Sequence, residues 1–262
     1  MTKTRRALRI ILRLTKFAAA LTAGIFRYYF TVKLRGRSGS IPARAAWMQT
    51  VVRGFLWALG VEPVYIGTPP REGVLVSNHV SYLDILVHAS CMPLVFISKA
   101  EVAQWPIFGP ITRWSGTLFI RRELRSDVVR VANEMPPVLA AGLVLAFFPE
   151  GTSSSGEGVL PFRASLLAPM VENGWQVTPA FLHYELEPGE GTVKEDIAFY
   201  RPETELGPHL LNLLGKRQVR ATLTYGQPLA SGSDRKVLAS RLREEVCALG
   251  CIAPAIGAAE TV

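Results

Sequence analysis

Along residues 74–225, short apolar runs alternate with longer segments in which apolar positions recur at the spacing of a helix. The runs are apolar at nearly every position, as in 143–148, which is typical of strands covered on both faces. Strands are predicted at 74–77, 94–98, 117–121, 143–148, 177–183 and 219–225. Helices are predicted near 82–91, 101–114, 125–141, 164–173, 206–215 and 234–249. The alternation predicts an α/β fold, a layered mixed sheet flanked by helices.

The first 61 residues follow a different pattern. Basic and apolar residues are mixed over residues 3–16, and an uncharged run over 17–26 ends at Arg27. A membrane span needs about 20 consecutive apolar residues, so this run is short for one. A Gly/Ser linker at 36–40 precedes a second predicted helix at 44–59. The mixture predicts a membrane-docking helical pair that lies in the headgroup region. A tilted span with snorkelling arginines and a secretory signal are the alternatives.

The charge distribution supports a polyanion as the partner of this N-terminal segment. Residues 1–61 contain twelve Lys or Arg residues and no Asp or Glu, whereas the whole chain has a net charge of +8. No base-reading motif accompanies the charge, which favours an anionic membrane surface over nucleic acid. We therefore predict three parts: docking helices at 1–61, one domain at 62–250 and a flexible tail at 251–262. The expected location is the cytoplasmic face of a bacterial-type inner membrane, with the chain peripheral or held by a single N-terminal span.

The cysteines indicate neither a disulfide framework nor a metal site. There are three, Cys91, Cys247 and Cys251, and no second pair has the spacing of zinc ligands. No metal or redox cofactor is predicted.

One stretch combines a strand end with a histidine and an aspartate. The predicted strand ends at Ser77, His79 follows it, and Ser81 is the predicted N-cap of the next helix, with Asp84 in its first turn. The turn allows Asp84 to accept from one imidazole nitrogen, which leaves the other nitrogen free to act as a base. Asp84 can equally serve as a helix cap alone. His88, His183 and His209 have no comparable partner and are assigned structural or surface roles.

Four blocks carry a resemblance to a known family. Residues 78–84 resemble the His-x4-Asp block of the glycerolipid acyltransferases typified by bacterial 1-acylglycerol-3-phosphate acyltransferases. Residues 116–122, 148–152 and 177–179 resemble the second, third and fourth blocks of that family, in the same order.

The resemblance implies transfer of a fatty acyl group from a thioester, on acyl-CoA or acyl carrier protein, to the free hydroxyl of a lysolipid. The implied acceptor is 1-acylglycerol-3-phosphate, which gives phosphatidate. His79 would be the general base and Asp84 would hold its imidazole. There is no G-x-S-x-G elbow to supply a serine nucleophile, in keeping with direct attack on the thioester.

The candidate substrate-binding residues are cations and a glycine turn. Arg122 and Lys99 are candidates for an acidic headgroup, because guanidinium and ammonium groups bind phosphate or carboxylate. Gly151 permits close backbone approach and exposed amides. The predicted set is Lys99, Phe119, Arg122, Glu150, Gly151, Thr152 and Arg163.

One position departs from the family pattern. The third block usually continues with arginine, but Ser153 stands there, and Arg163 is the candidate replacement. The Ser-rich segment and residues 208–215 resemble the branch that includes lyso-ornithine lipid acyltransferases, whose acceptor is zwitterionic and has no phosphate. Two other functions stay open: a non-catalytic lipid-binding protein on the same fold, and a hydrolase that uses water as the acceptor.

Overall fold

The computed structural model describes residues 3–121 and 124–255. The strands are β1 Val61–Ile66, β2 Val74–Ser77, β3 Leu94–Lys99, β4 Leu118–Ile120, β5 Val144–Phe147, β6 Val177–Leu186 and β7 Val219–Tyr225. The α-helices are α1 Lys3–Tyr28, α2 Ile41–Leu59, α3 Leu83–Cys91, α4 Phe108–Ser115, α5 Arg125–Ala140, α6 Ala168–Asn173, α7 Val193–Asp196, α8 Leu206–Gly215 and α9 Arg235–Gly250. Two 3-10 helices, Ala100–Gln104 and Ala164–Leu167, and a π-helical turn, Tyr29–Lys33, complete the described elements.

The strands form one mixed sheet in the order β1-β7-β6-β2-β5-β3-β4. The pairs from β6 through β2, β5 and β3 to β4 are parallel, and β7 is antiparallel to β6 and parallel to β1. The predicted α/β class and mixed sheet are confirmed. Because β2, β5 and β3 run in the same direction, the segments that follow them leave the same edge of the sheet.

Both faces of the central strands are covered, as their continuous apolar runs predict. Along β5, Val144 and Ala146 pack into the core on the side of α2 and α3, whereas Leu145 and Phe147 pack on the opposite side with α5, α6 and α9. Alternate side chains of a strand point to opposite faces, so every position of β5 is buried.

The N-terminal helical pair packs directly on this fold. Phe17 of α1 stacks on Phe55 of α2 with ring centroids 4.6 Å apart, and the indole of Trp47 donates to the Gly24 carbonyl at 2.8 Å. Within the described chain, no helix combines the length and the apolar character that crossing a membrane requires. The predicted boundary at residue 61 coincides with the first residue of β1, and the division into domains stays a prediction.

Arginines of the N-terminal segment satisfy the carbonyls at helix ends. Arg13 donates to the carbonyls of Leu214 and Lys216 at the end of α8, at 3.2 and 2.6 Å. Arg44 donates to Trp114 at the end of α4, and Arg53 donates to the Ser90 carbonyl near the end of α3. A cation near a helix C-terminus also interacts favourably with the helix dipole. Part of the basic excess at the N-terminus therefore has a structural role.

Several predicted elements need correction. The predicted helix at 101–114 is two pieces separated near Pro106, because proline has no N–H for a helix interior. The predicted helix at 164–173 is a 3-10 helix followed by α6. Strand β1 and helix α7 were not predicted, and β6 continues to Leu186. Of the predicted tail, residues 251–255 are described, and there the Ala255 amide donates to the Val159 carbonyl at 3.0 Å; the remainder lies outside the described residues.

Candidate active site

A turn at the end of β2 carries the predicted His–Asp pair. The turn is fixed by Asn78, whose side-chain amide donates to the Leu182 carbonyl at 2.9 Å and accepts from the Leu182 amide at 2.8 Å. These two bonds bind the turn to the neighbouring strand β6. The backbone that leads into His79 is therefore held in place by two hydrogen bonds of the Asn78 side chain.

The structure brings His79 and Asp84 into hydrogen-bond contact. The Nδ1 atom of His79 lies 2.7 Å from Oδ2 of Asp84, whose side chain is fully buried. The same carboxylate accepts from the amides of Val80 and Ser81, at 2.6 and 3.0 Å, and from the hydroxyl of Tyr184 at 2.7 Å. An acceptor with this many donors is fixed in place, so it holds the imidazole ring in one orientation.

The prediction that Ser81 is the N-cap of α3 is wrong. The helix begins at Leu83 after Tyr82, and the Ser81 hydroxyl is buried without a hydrogen-bond partner. The carboxylate of Asp84 accepts the amides of Val80 and Ser81, which precede the helix, and so fixes the turn. Asp84 thus both stabilises the turn and is the partner of His79.

The imidazole of His79 lies at the wall of a cavity. Its ring stacks on Phe148 with centroids 4.1 Å apart and planes at 4°, and its side chain is 21% exposed. Since Nδ1 faces Asp84, Nε2 is the nitrogen left for a substrate. Contact with Asp84 on one side and with a flat ring on the other leaves the imidazole little freedom to rotate.

Glu150 holds the backbone of the turn at His79. Its carboxylate accepts from the His79 amide at 2.9 Å and from the Leu160 amide at 3.3 Å, and it is almost fully buried. Burial raises the pKa of Glu150 to about 8, against the effect of those two amides, which lower it. The carboxylate contacts the backbone of His79 and is not among the cavity-lining residues described.

This raised pKa predicts a stability that falls with pH. The folded protein keeps a proton on Glu150 that the unfolded chain releases near pH 4.5, so the stabilisation is complete below that value and is lost as the pH rises through about 8. We expect the free energy of unfolding in urea to drop by about 2 kcal/mol between about pH 6.5 and pH 8.5. In Glu150→Gln, which cannot titrate, this drop should disappear.

The range from about pH 6.5 to about pH 8.5 lies above the range in which a second buried group, His88, affects stability. Burial lowers the pKa of His88 from 6.5 to about 4, so His88 favours the folded state as the pH rises toward 6.5 and opposes Glu150 only below that value. Equal slopes for wild type and Glu150→Gln would show that Glu150 is ionised throughout.

The cavity is lined by both apolar and polar side chains. Its volume is about 660 Å³. The apolar lining residues include Met48, Phe55, Ile85, Leu86, Phe108 and Ile111, and the polar ones include His79, Lys99, Thr152, Ser153, Arg163 and Arg201. A cavity of this kind suits an amphipathic molecule with a hydrocarbon chain and a charged head.

The predicted substrate-binding residues divide into three groups. Lys99, Gly151, Thr152 and Arg163 line the cavity with His79. Glu150 and Phe119 are not among the lining residues described, and Phe119 lies half-buried in β4. Arg122 lies outside the described residues. The amide of Gly151 donates to the Phe148 carbonyl at 3.2 Å, so this amide is not available to cradle an anion.

One wall of the cavity was not foreseen. It consists of Phe199, Tyr200, Arg201, Pro202 and Thr204, which follow α7. The segment lies outside the four family-like blocks and has no apolar periodicity, so no sequence signal marked it. Within the residues described, no group of three His, Cys, Asp or Glu side chains is placed to hold a metal ion.

Comparisons with known proteins agree with this geometry. A family model described as Acyltransferase matches residues 67–183. The 1-acyl-sn-glycerol-3-phosphate acyltransferase of Neisseria meningitidis is 32% identical over 223 residues, covering 82% of this chain and 86% of that protein. The lyso-ornithine lipid O-acyltransferase of Rhodobacter capsulatus is 34% identical over 232 residues, covering 84% of this chain and 82% of that protein. The crystal structure of the 1-acyl-sn-glycerophosphate acyltransferase from Thermotoga maritima has the same fold, with a TM-score of 0.68, 19% identity, and coverage of 97% of this chain and 100% of that one.

Proposed function

The chain belongs to the acyltransferase family, and we propose that it moves a fatty acyl group from the thioester of CoA or acyl carrier protein to the free hydroxyl of a lysolipid. The observation that carries the proposal is the contact between His79 and Asp84 at the wall of a cavity lined by both apolar and charged side chains.

The reaction follows from the geometry of the pair. Nε2 of His79 takes the proton from the acceptor hydroxyl, and the oxygen attacks the thioester carbonyl carbon. The C–S bond then breaks as the tetrahedral adduct collapses, and the thiolate takes the proton back from the imidazolium. Asp84 stabilises the imidazolium while it exists. No covalent intermediate with the protein is required, because the thiolate is a good leaving group.

The first candidate acceptor is 1-acylglycerol-3-phosphate. The cations Lys99, Arg163 and Arg201 line the cavity, where they would bind a phosphate. Relatives from Neisseria carry the name of this activity. The product would be phosphatidate, which places the chain in phospholipid biosynthesis.

Lyso-ornithine lipid is the second candidate, and the observation that favours it is the side chain at position 153. Ser153 lines the cavity and its hydroxyl donates to the Phe199 carbonyl, so this position supplies no cation to the headgroup. A zwitterionic headgroup needs fewer cations than a phosphate monoester. Relatives from Brucella abortus and Pseudomonas aeruginosa carry the name of this activity, at 33% and 35% identity.

Acyl transfer in mixed micelles tests the proposal. Labelled acyl-CoA and labelled acyl carrier protein are each offered with lysophosphatidate or with lyso-ornithine lipid. We expect labelled diacyl product from at least one combination, and the preferred tube identifies the acceptor and the donor. Labelled free fatty acid without lysolipid would instead indicate the hydrolase. No turnover in any tube would leave the non-catalytic lipid-binding protein.

We further propose that α1 lies on an anionic membrane, at the cytoplasmic face of a bacterial-type inner membrane. The helix and the π-helical turn after it have a row of exposed apolar side chains that repeat at helical spacing: Leu8, Ile11, Leu12, Phe26 and Phe30, each 53–60% exposed. Basic residues flank this row, and Lys16 lies over the ring of the exposed Trp57 at 4.4 Å. A helix with an apolar face and basic flanks is typical of interfacial docking.

Charged substitutions on this face should release the protein from vesicles. Burial of an isoleucine or phenylalanine side chain contributes about 1.5–3 kcal/mol, so Ile11→Glu with Phe26→Glu should weaken co-sedimentation with vesicles of anionic lipid by about 100-fold or more. Val237→Glu is the matched control, because Val237 is 57% exposed on α9, which covers the opposite face of the sheet. Equal binding by the double variant and the control would disprove docking through α1.

A further inference from the structure

The cavity wall formed by residues 199–204 is fixed directly beside His79. The Phe199 amide donates to the Val80 carbonyl at 2.8 Å, one residue after His79. The Ser153 hydroxyl donates to the Phe199 carbonyl from the other side. The Phe199 ring also makes an edge contact with Tyr82, at 5.4 Å between centroids. The backbone at the start of this wall is therefore fixed beside the turn that carries His79.

Arg201 is the cation on this wall. Its Nη2 donates to Glu195 at 2.6 Å and its Nε donates to the Tyr200 hydroxyl at 3.2 Å. Hydrogen bonds to Tyr200 and Glu195 raise the pKa of Arg201 above its ordinary value, so the guanidinium is charged at every physiological pH. These two contacts use two of the five N–H donors and orient the guanidinium before a ligand arrives.

Ser153 supplies no positive charge to this wall. Ser153 lines the same cavity but its short side chain is turned toward the backbone of Phe199. Among the described lining residues, Lys99 and Arg163 are the other cations. Lys99 pairs with the exposed Glu101 at 3.2 Å, much as Arg201 pairs with Glu195, so the difference between them lies in the wall that carries each side chain. Arg201 differs from the other two cations in its position: it lies two residues after Phe199, whose backbone is hydrogen-bonded to both Val80 and Ser153.

We propose that Arg201 is a specificity-determining residue that binds the anionic group of the acceptor headgroup, either a phosphate or a carboxylate. The planar guanidinium meets two anionic oxygens with its remaining N–H donors. It does so from the side of the cavity where an arginine at position 153 would otherwise project. The inference rests on the proposed function, since it assigns the part of the same site that recognises the acceptor.

The test compares charged and uncharged acceptors. Initial rates are measured with lysophosphatidate, lyso-ornithine lipid and uncharged monoacylglycerol, for wild type and Arg201→Gln. For the anionic acceptor that wild type prefers, KM should rise about 10- to 100-fold, because a hydrogen bond to a charged group is lost. The KM for the acyl thioester should stay unchanged, and so should the rate with monoacylglycerol. The phosphate and carboxylate arms show which anion Arg201 binds.

Two further variants sharpen the result. Lys194→Gln removes a neighbouring positive charge from α7, where Lys194 pairs with the exposed Glu157 at 2.8 Å, and should leave the acceptor KM unchanged. Ser153→Arg in the Arg201→Gln background should restore part of the acceptor affinity. An unchanged acceptor KM in Arg201→Gln, or an equal rise in Lys194→Gln, would overturn the inference while wild-type transfer still supports the proposed function. Absence of transfer by wild type would overturn the proposed function itself.

Discussion

Replacing His79 with alanine is expected to lower kcat for acyl transfer by about 10²–10⁴-fold, the usual contribution of a positioned general base. The carboxylate of Asp84 orients the imidazole of His79, and the ring of Phe148 stacks on it. The imidazole is therefore a base held in a fixed position at the cavity wall. Its removal takes away the oriented base that accepts the proton of the acceptor hydroxyl. The measurement is the initial rate of acyl transfer with saturating thioester and lysolipid.

The same variant should keep its fold and its binding of lipid. The side chain of His79 is partly exposed, and the backbone around it is held by Asn78 and Glu150 without help from the ring. The KM values for both substrates should therefore change less than kcat. His183→Ala, which removes an exposed histidine from β6, is the control and should match wild type. A kcat in His79→Ala within a few-fold of wild type would exclude His79 as the base.

The parts of this molecule that sequence reasoning predicted well depend on local patterns. The continuous apolar runs of β2, β3 and β5 require cover on both faces, and the structure provides it. The turn between His79 and Asp84 is short enough for the two side chains to meet. These features involve residues close together in the chain, so their spacing alone restricts what they can form.

The parts that were missed depend on contacts between distant segments. Arg201 reaches the cavity because a backbone bond joins Phe199 to Val80, which is more than a hundred residues earlier in the chain. Arg13, predicted as part of a lipid-binding basic segment, also satisfies carbonyls at the end of α8. Tyr184 reaches Asp84 because β6 lies beside β2 in the sheet. No local pattern encodes such neighbours, since they follow from the order of the strands.

Because each oxygen of Asp84 has its own hydrogen-bond donors, a substitution can remove the charge of Asp84 and keep its structural contacts. Oδ2 of Asp84 accepts the amides of Val80 and Ser81, which holds the turn, while Oδ1 accepts the Tyr184 hydroxyl. An asparagine oxygen placed at Oδ2 preserves the first two contacts. Its amide nitrogen then faces Tyr184, whose hydroxyl both donates and accepts. Alanine preserves none of these contacts and leaves each buried donor unpaired.

Asp84→Asn should therefore reduce kcat by about 10²–10⁴-fold with a small loss of stability, because the imidazolium of His79 loses its counter-charge while the turn keeps its hydrogen bonds. Asp84→Ala should also destabilise the fold, by about 1–3 kcal/mol for each buried donor that is left unpaired. Urea unfolding combined with initial rates separates the two effects. If Asp84→Asn keeps the wild-type kcat while Asp84→Ala unfolds more easily, Asp84 only stabilises the turn and the charge of its carboxylate is not needed by His79. A loss of kcat in a stable Asp84→Asn protein would instead establish that the charge of Asp84 is required for the reaction.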